Sequence, residues 1–213
     1  MQFEFIGGQL SLDFVNTASH RPQEGEANEL RDRLGSYDDL VAWATAAHAL
    51  PDCAPGDLEK AAAQHPRIAA RTLDDARAFR ESLYRIFTAF AADKGAPSAP
   101  AADMERLNEV FRRANAHRTL CCNTPNTHGA PTFEWAWDAN VAELDRVIWP
   151  VALAAAELLT SGDPQRLKEC GGDQCNWLFI DQSKNRSRRW CTMQDCGNKV
   201  KAKRHYHRQR AEA

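Results

Sequence analysis

The chain has 213 residues, 43% of them hydrophobic and 26% charged, with a formal net charge of −2. This excludes a disordered or fibrous polymer and allows one sizeable buried core with a smaller unit attached. The opening Met1-Gln2-Phe3-Glu4 has no basic region and no apolar run, and the uncharged stretch from Val147 to Ala156 is about half of what a membrane span needs, so a cytoplasmic protein without a membrane partner is expected.

In chain order, residues 3–10 predict a short strand, a Gly7-Gly8 turn and a return. Residues 10–17 fit either the second strand or the first turn of a helix, and the polar residues 19–28 a loop. Ser36 is an N-cap for a helix through Leu40, Trp43, Ala47 and Leu50, stopped by Pro51. A shorter helix runs from Asp57 to Gln64 and ends at Pro66. Thr72 caps a long helix carrying Ala76, Phe79, Leu83, Ile86, Phe87 and Phe90 on one face and ending near Gly95. Residues 96–100 form a linker, and Met104, Leu107, Val110, Phe111 and Ala114 mark a further helix. Thr132 to Trp137 alternates aromatic with small or polar residues, the pattern of a strand. Asp138 caps a last long helix through Val141, Leu144, Ile148, Leu153 and Leu158, which Pro150 should kink. The fold class is α+β, mostly α. An α-rich unit with a few strands spans residues 1–163 and a small finger spans 164–213, divided at Ser161-Gly162-Asp163-Pro164.

Charge divides at the same place. Residues 1–163 hold 15 Lys and Arg against 24 Asp and Glu, whereas residues 164–213 hold 12 against 5. An acidic body with a basic end points to two parts with different partners, the basic one facing a polyanion.

The body offers little that resembles catalysis. It has no glycine-rich phosphate loop, nucleophile elbow or His-Glu-x-x-His helix. His48, His65, His117 and His128 are far apart in sequence and read as surface or helix-end residues. Cys121 and Cys122 form either a redox pair or two small buried side chains, the second being favoured. Asp13 and Asn16, beside Phe14 and Val15, either line a pocket for a small-molecule effector or serve as capping and turn residues. No enzyme is expected.

The C-terminal segment is more explicit. Four residues separate Cys170 from Cys175, four separate Cys191 from Cys196, and fifteen lie between the pairs. Two short cysteine turns brought face to face supply a tetrahedron of thiolates for one Zn2+, with Gly171 and Gly172 letting the first turn bend inward. Four thiolates leave no open position, so the zinc is structural, contributing on the order of 10 kcal/mol to a segment too small for its own core. Trp177-Leu178-Phe179-Ile180 reads as a strand leaving the first pair, with Trp190 beside the second.

Between the pairs, residues 181–189 form a projecting polar loop carrying Lys184, Asn185, Arg186, Arg188 and Arg189. From Gly197 onward a basic helix starts at the metal and carries Lys199, Lys201, Lys203, Arg204 and Arg208. Knuckle, hairpin, then a cysteine pair opening onto a helix is the order of a treble clef. Such cations neutralise phosphates, and Arg and Asn also read base edges, which makes DNA the expected partner. A solvated basic helix, or one docked on the acidic body, are the alternatives.

The run Cys170-x4-Cys175-Asn176-Trp177-Leu178-Phe179-Ile180-Asp181, with Ser183 to Cys191, Met193 and Cys196-Gly197-Asn198-Lys199, resembles the CGNR zinc finger family. Lys199 stands where the family's tetrapeptide has Arg, which keeps the charge but loses the bidentate fork. Gly7-Gly8 with Leu12-Asp13-Phe14-Val15-Asn16-Thr17 resembles the N-terminal signature of the ABATE domain, an α-rich stress-responsive regulatory module that usually precedes this finger. Together the resemblances imply a bacterial transcription regulator: a sensing or oligomerising body joined to a DNA-binding finger. An RNA-binding module is the first alternative, since Tyr206 and Trp190 could stack on unpaired bases, and a small-molecule enzyme with a structural finger is the second. A homodimer is expected on affinity grounds, because one small finger grips few base pairs.

Overall fold

Gln9 decides how the chain begins. Its side-chain oxygen accepts the Ser11 N–H at 2.8 Å and starts helix α1 (Leu10–Val15), whose Leu12, Phe14 and Val15 are buried. The computed structural model describes residues 3–22, 29–50, 55–92, 99–123, 132–138, 143–160 and 166–211. The expected Pro51 stop, the helix end near Gly95, His128, Val141 and the break at 161–164 lie outside them, as do the side chains of Arg204 and His205.

The strand–turn–return expected over residues 3–10 is not formed. Gly8 is left-handed (φ 81°), and the Gly7 carbonyl accepts a long-range bond from the Ile180 N–H at 2.9 Å, so this segment lies beside the C-terminal unit instead of pairing with itself. On either side of the stretch read as a loop, strand β1 (Ala18–Ser19) pairs antiparallel with β2 (Arg31–Asp32).

Helix α2 (Tyr37–Ala46) begins at Ser36, as expected, with a full capping box. The Asp39 N–H donates to the Ser36 hydroxyl at 3.1 Å and the Ser36 N–H to the Asp39 carboxylate at 2.9 Å. It ends before Leu50 because His48 turns left-handed, at φ 53°. Helix α3 (Pro55–Gln64) is followed after one residue by α4 (Pro66–Ala92). Pro66 therefore opens the long helix, and Thr72 is an interior residue, not its cap. A first-turn proline needs no N–H partner, and the apolar stripe extends back through Leu73 and Ala69.

Helix α5 (Ala101–Ala116) leads into a ribbon of β3 (Arg118–Asn123) and β4 (Thr132–Trp137), in the register Leu120 to Trp135 and Cys122 to Phe133. β4 was expected; β3 was not. Cys121 is half-buried and Cys122 exposed, so they are not the two buried side chains favoured from sequence. Pro150 does not kink a continuous helix. A separate 3-10 turn, Leu144–Ile148, precedes α6 (Trp149–Thr160), and Pro150 sits in the first turn of α6, where its missing N–H costs nothing.

The helices pack into one core. The Phe14 ring lies 5.0 Å from Trp43 and 6.3 Å from Phe79. Leu83, Ile86, Phe87, Val147, Trp149 and Val151 complete it. The C-terminal unit joins the same core: β5 (Leu167–Glu169) pairs antiparallel with β6 (Leu178–Ile180), and Leu167, Leu178 and Ile180 are buried among the helices' side chains. A second cluster holds Cys170, Trp177, Phe179 and Cys191, flanked by Ile6 and Trp190. After Thr192, whose hydroxyl accepts the Asp195 N–H at 3.2 Å, the chain makes one π-type turn, Met193–Gly197, closed by the Gly197 N–H on the Thr192 carbonyl. Helix α7 (Asn198–Ala211) follows directly.

Candidate metal centre and basic surface

β5 ends at Glu169, just before Cys170, and β6 begins at Leu178, three residues after Cys175, so the first cysteine turn closes a ribbon whose two strands are fixed on the body. The Cys170 N–H donates to the Trp177 carbonyl at 2.8 Å and the Cys175 N–H to the Gly172 carbonyl at 3.2 Å. The tight curvature comes from Gln174 and Asn176, left-handed at φ 62° and 56°, and not from the glycines. Gly172 is needed for space: a Cβ there would lie 2.8 Å from the Cys196 Cβ and 2.9 Å from its Sγ.

The four Sγ atoms of Cys170, Cys175, Cys191 and Cys196 lie within 4.8 Å of one another. A zinc ion with Zn–S bonds of about 2.3 Å spaces its sulfurs about 3.8 Å apart. The Cys175–Cys191 and Cys191–Cys196 pairs stand at 3.7 and 3.5 Å. The Cys170 sulfur also accepts backbone N–H groups from Cys191 at 3.2 Å and Gly172 at 3.4 Å, bonds that stabilise a thiolate. The donor set, its spacing and its amide support fit one structural zinc with no open position. Without the metal the four thiols cannot all ionise. Hydrogen bonds from Cys175, Cys191 and the two amides hold Cys170 far below the usual thiol range. Sharing with Cys170 pushes Cys175 and Cys191 up, and burial pushes Cys196 up. Zinc therefore displaces protons as it binds.

The loop between the cysteine pairs is wrapped around Asp181, which is wholly buried. Its carboxylate accepts the Ser183 N–H at 2.9 Å, the Ser183 hydroxyl at 2.6 Å, the Arg188 N–H at 3.0 Å and the Lys168 ammonium at 2.5 Å. Burial alone would raise its pKa, but Lys168 and the Ser183 donors outweigh it and hold the group well below the carboxylate range. Lys184, Asn185, Arg186 and Arg189 are exposed on the outside of this loop. Arg188 is turned inward. It donates to the Trp190 and Cys191 carbonyls, and its guanidinium lies 4.2 Å from the Phe179 ring centre.

On α7, Lys199, Lys201, Lys203 and Arg208 are exposed, with Lys203 paired to Asp173 at 2.5 Å. Val200 is the one half-buried side chain among the described residues of this helix. Tyr206 is 55% exposed. α7 therefore has no core face, and the zinc knuckle supports it from one end only.

Asp13 and Asn16, the candidate effector ligands, make internal bonds. Asp13 accepts the Gly7 N–H at 2.8 Å, and burial raises its pKa to about 6. Asn16 donates to the Leu178 carbonyl and accepts the Leu178 N–H, both at 2.8 Å, and so holds β6 against α1. A polar chain gives the body a second grip on the knuckle, and no sequence pattern announced it. The Tyr84 hydroxyl donates to Glu169 at 2.9 Å, and Glu169 also accepts from Asn176 at 3.2 Å. Behind Tyr84, the Arg21 guanidinium lies 4.1 Å from its ring centre and pairs with Glu81 at 2.8 Å. Arg80, 1% exposed, binds both oxygens of Asp32 at 2.7 Å. Burial would raise the Asp32 pKa, but Arg80 holds it down. Only the charges of this network were visible in sequence; their pairing spans up to 85 residues.

A cleft of about 460 Å³ opens between the β1–β2 ribbon and the finger, lined by residues of both, including His20, Arg31, Trp177 and Lys199. His20 is left-handed at φ 56°, and burial, then Arg31 and Lys199, lower its pKa. No helix among the described residues is long and apolar enough to cross a membrane.

Two family models match successive stretches of the chain. No curated protein matches it. Residues 166–209 match the CGNR zinc finger, in agreement with the four-cysteine centre. Residues 8–162 match the ABATE family, described as a "putative stress-induced transcription regulator". With most of its length inside that match and the finger behind it, the chain belongs to the ABATE family and carries a CGNR zinc finger.

Proposed function

We propose that this zinc-binding protein is a DNA-binding transcription regulator and not an enzyme, acting in the cytoplasm in a stress response. The observation that carries the reading is α7: a basic helix, exposed along its described side chains except at Val200, projecting from the zinc knuckle with no core face to bury. Lys199, Lys201, Lys203 and Arg208 on it, with Arg204, and Lys184, Asn185, Arg186 and Arg189 on the loop, supply the cations for phosphates and the forks for base edges. Arg188 supports the finger's own carbonyls. A second reading, RNA, rests on Tyr206, whose ring is 55% exposed beside the Arg210 guanidinium and could take an unpaired base on its open side. A small-molecule effector and a homodimer complete the proposal: the effector because the body is the larger unit, the dimer because one finger spans few base pairs.

Selection of duplexes from a random DNA library by zinc-loaded full-length protein tests it. A reproducible motif is expected, and a palindromic one would add the dimer. Retention without enrichment reduces the finger to a phosphate binder and favours RNA. No retention overturns the proposal.

A further inference from the structure

We infer that the cleft between the β1–β2 ribbon and the finger is a binding site for a small anion, a phosphate or carboxylate group, held jointly by body and finger. The proposal does not depend on the reading of α7 as a DNA-binding helix.

Three observations converge on it. The cleft, which borders the metal centre at Cys175, Cys191 and Cys196, has a volume of about 460 Å³, within the range of small-molecule sites, and residues of both body and finger line it. Its acids are engaged: Glu4 pairs with Arg33 at 3.2 Å, Asp173 with Lys203 at 2.5 Å, and Asp195 accepts the Thr192 hydroxyl at 3.2 Å. Arg31 and Lys199 are different. Neither has an acidic partner among the described residues, yet one comes from the body and one from α7, both line the cleft with His20, and both lower the pKa of its imidazole. Two unpaired cations converging from separate units repel each other, a cost that an anion seated between them removes. Last, Trp177 lines the cleft at 7% exposure, and its indole N–H is buried with no acceptor. A buried donor without a partner is costly, and a shift of the Trp177 side chain that let an anion's oxygen reach it would remove that cost. The left-handed His20 places this constellation on a strained turn, as binding loops often do.

The competing use of Arg31 and Lys199 is to balance the two negative charges of the zinc–tetrathiolate centre, whose Cys175, Cys191 and Cys196 also border the cleft. The test separates the two. Zinc-loaded full-length protein is titrated with inorganic phosphate while the indole N–H resonance of Trp177, identified by its loss in Trp177→Phe, is followed by NMR. A saturable shift is expected, weakened about tenfold or more in Arg31→Ala and in Lys199→Ala, each still holding one zinc per chain. No saturable shift, a shift that both variants retain, or zinc loss in Arg31→Ala would each overturn the site. A second arm adds duplex DNA. A duplex that competes with phosphate for the same resonance makes the anion a nucleic-acid phosphate; one that leaves the resonance unmoved makes it a free small molecule.

Discussion

Asn16 is a buried polar side chain, 2% exposed, and it joins two segments 162 positions apart in sequence. Replacing it with Ala leaves the Leu178 N–H and C=O buried and unpaired, at about 1–3 kcal/mol for each group. Asn16→Ala should therefore lower the midpoint of denaturant unfolding more than any exposed Lys→Ala change on α7, with the slope unchanged. Asp13, three residues earlier, behaves in the opposite sense. Its folded pKa of about 6 lies above the ordinary 3.8, so the group favours the folded chain fully below pH 3.8, and the benefit is gone once the pH passes 6. Asp13→Asn should stabilise the protein by about 2–3 kcal/mol at pH 7.5 and by almost nothing near pH 4, read from unfolding curves at the two values. Arg188 gives a third contrast. Arg188→Ala should hasten zinc loss to a chelator, because two carbonyls beside the second cysteine pair lose their donor; Arg186→Ala should leave that rate unchanged and weaken nucleic-acid binding.

Among the elements, the zinc knuckle and α7 depend on one another. α7 has no apolar stripe, and its start is fixed by Thr192, the π-type turn and Cys196. Removing zinc should lower helical circular dichroism by about the length of α7, and acidification should do the same, since protons compete for the four sulfurs. Restoring zinc at neutral pH should bring the signal back.

The elements also show what a sequence can and cannot express. The four-cysteine spacing and the stripe on α4 are local patterns, and both were legible. β3 was not, because Arg118-Thr119-Leu120-Cys121-Cys122-Asn123 has one β-branched residue and takes its conformation from pairing with β4. Pro66 reads in sequence only as a stop; it is also the start of α4, whose apolar stripe reaches back to Ala69. The inward turn of Arg188 had no signal at all, because its partners are backbone carbonyls, which every sequence has. The Asn16 bond to β6 was hidden for the same reason. Of the candidate site, the metal was readable to the residue. The division of the basic residues between structural and exposed roles was not.

For the whole molecule, body and finger unfold together if they share a core. Leu178 is wholly buried among body side chains although it lies between the first cysteine pair and the basic loop. Leu178→Ala should cost about 2–5 kcal/mol and lower the thermal midpoint of the body as well as the finger, in a single calorimetric transition. Chelating zinc should lower that midpoint too, because the knuckle anchors β5 and β6.

The shared ribbon also limits how such proteins can be rearranged in evolution or by engineering. The family matches end at residue 162 and resume at 166, which invites cutting and joining there. A joint at that point would strip Leu167, Leu178 and Ile180 from the helical core and leave Asn16, Gly7 and Tyr84 without partners. A foreign finger spliced onto this body would need the same three apolar residues in the same register. Body and finger are thus heritable as a pair and exchangeable only with the ribbon that joins them.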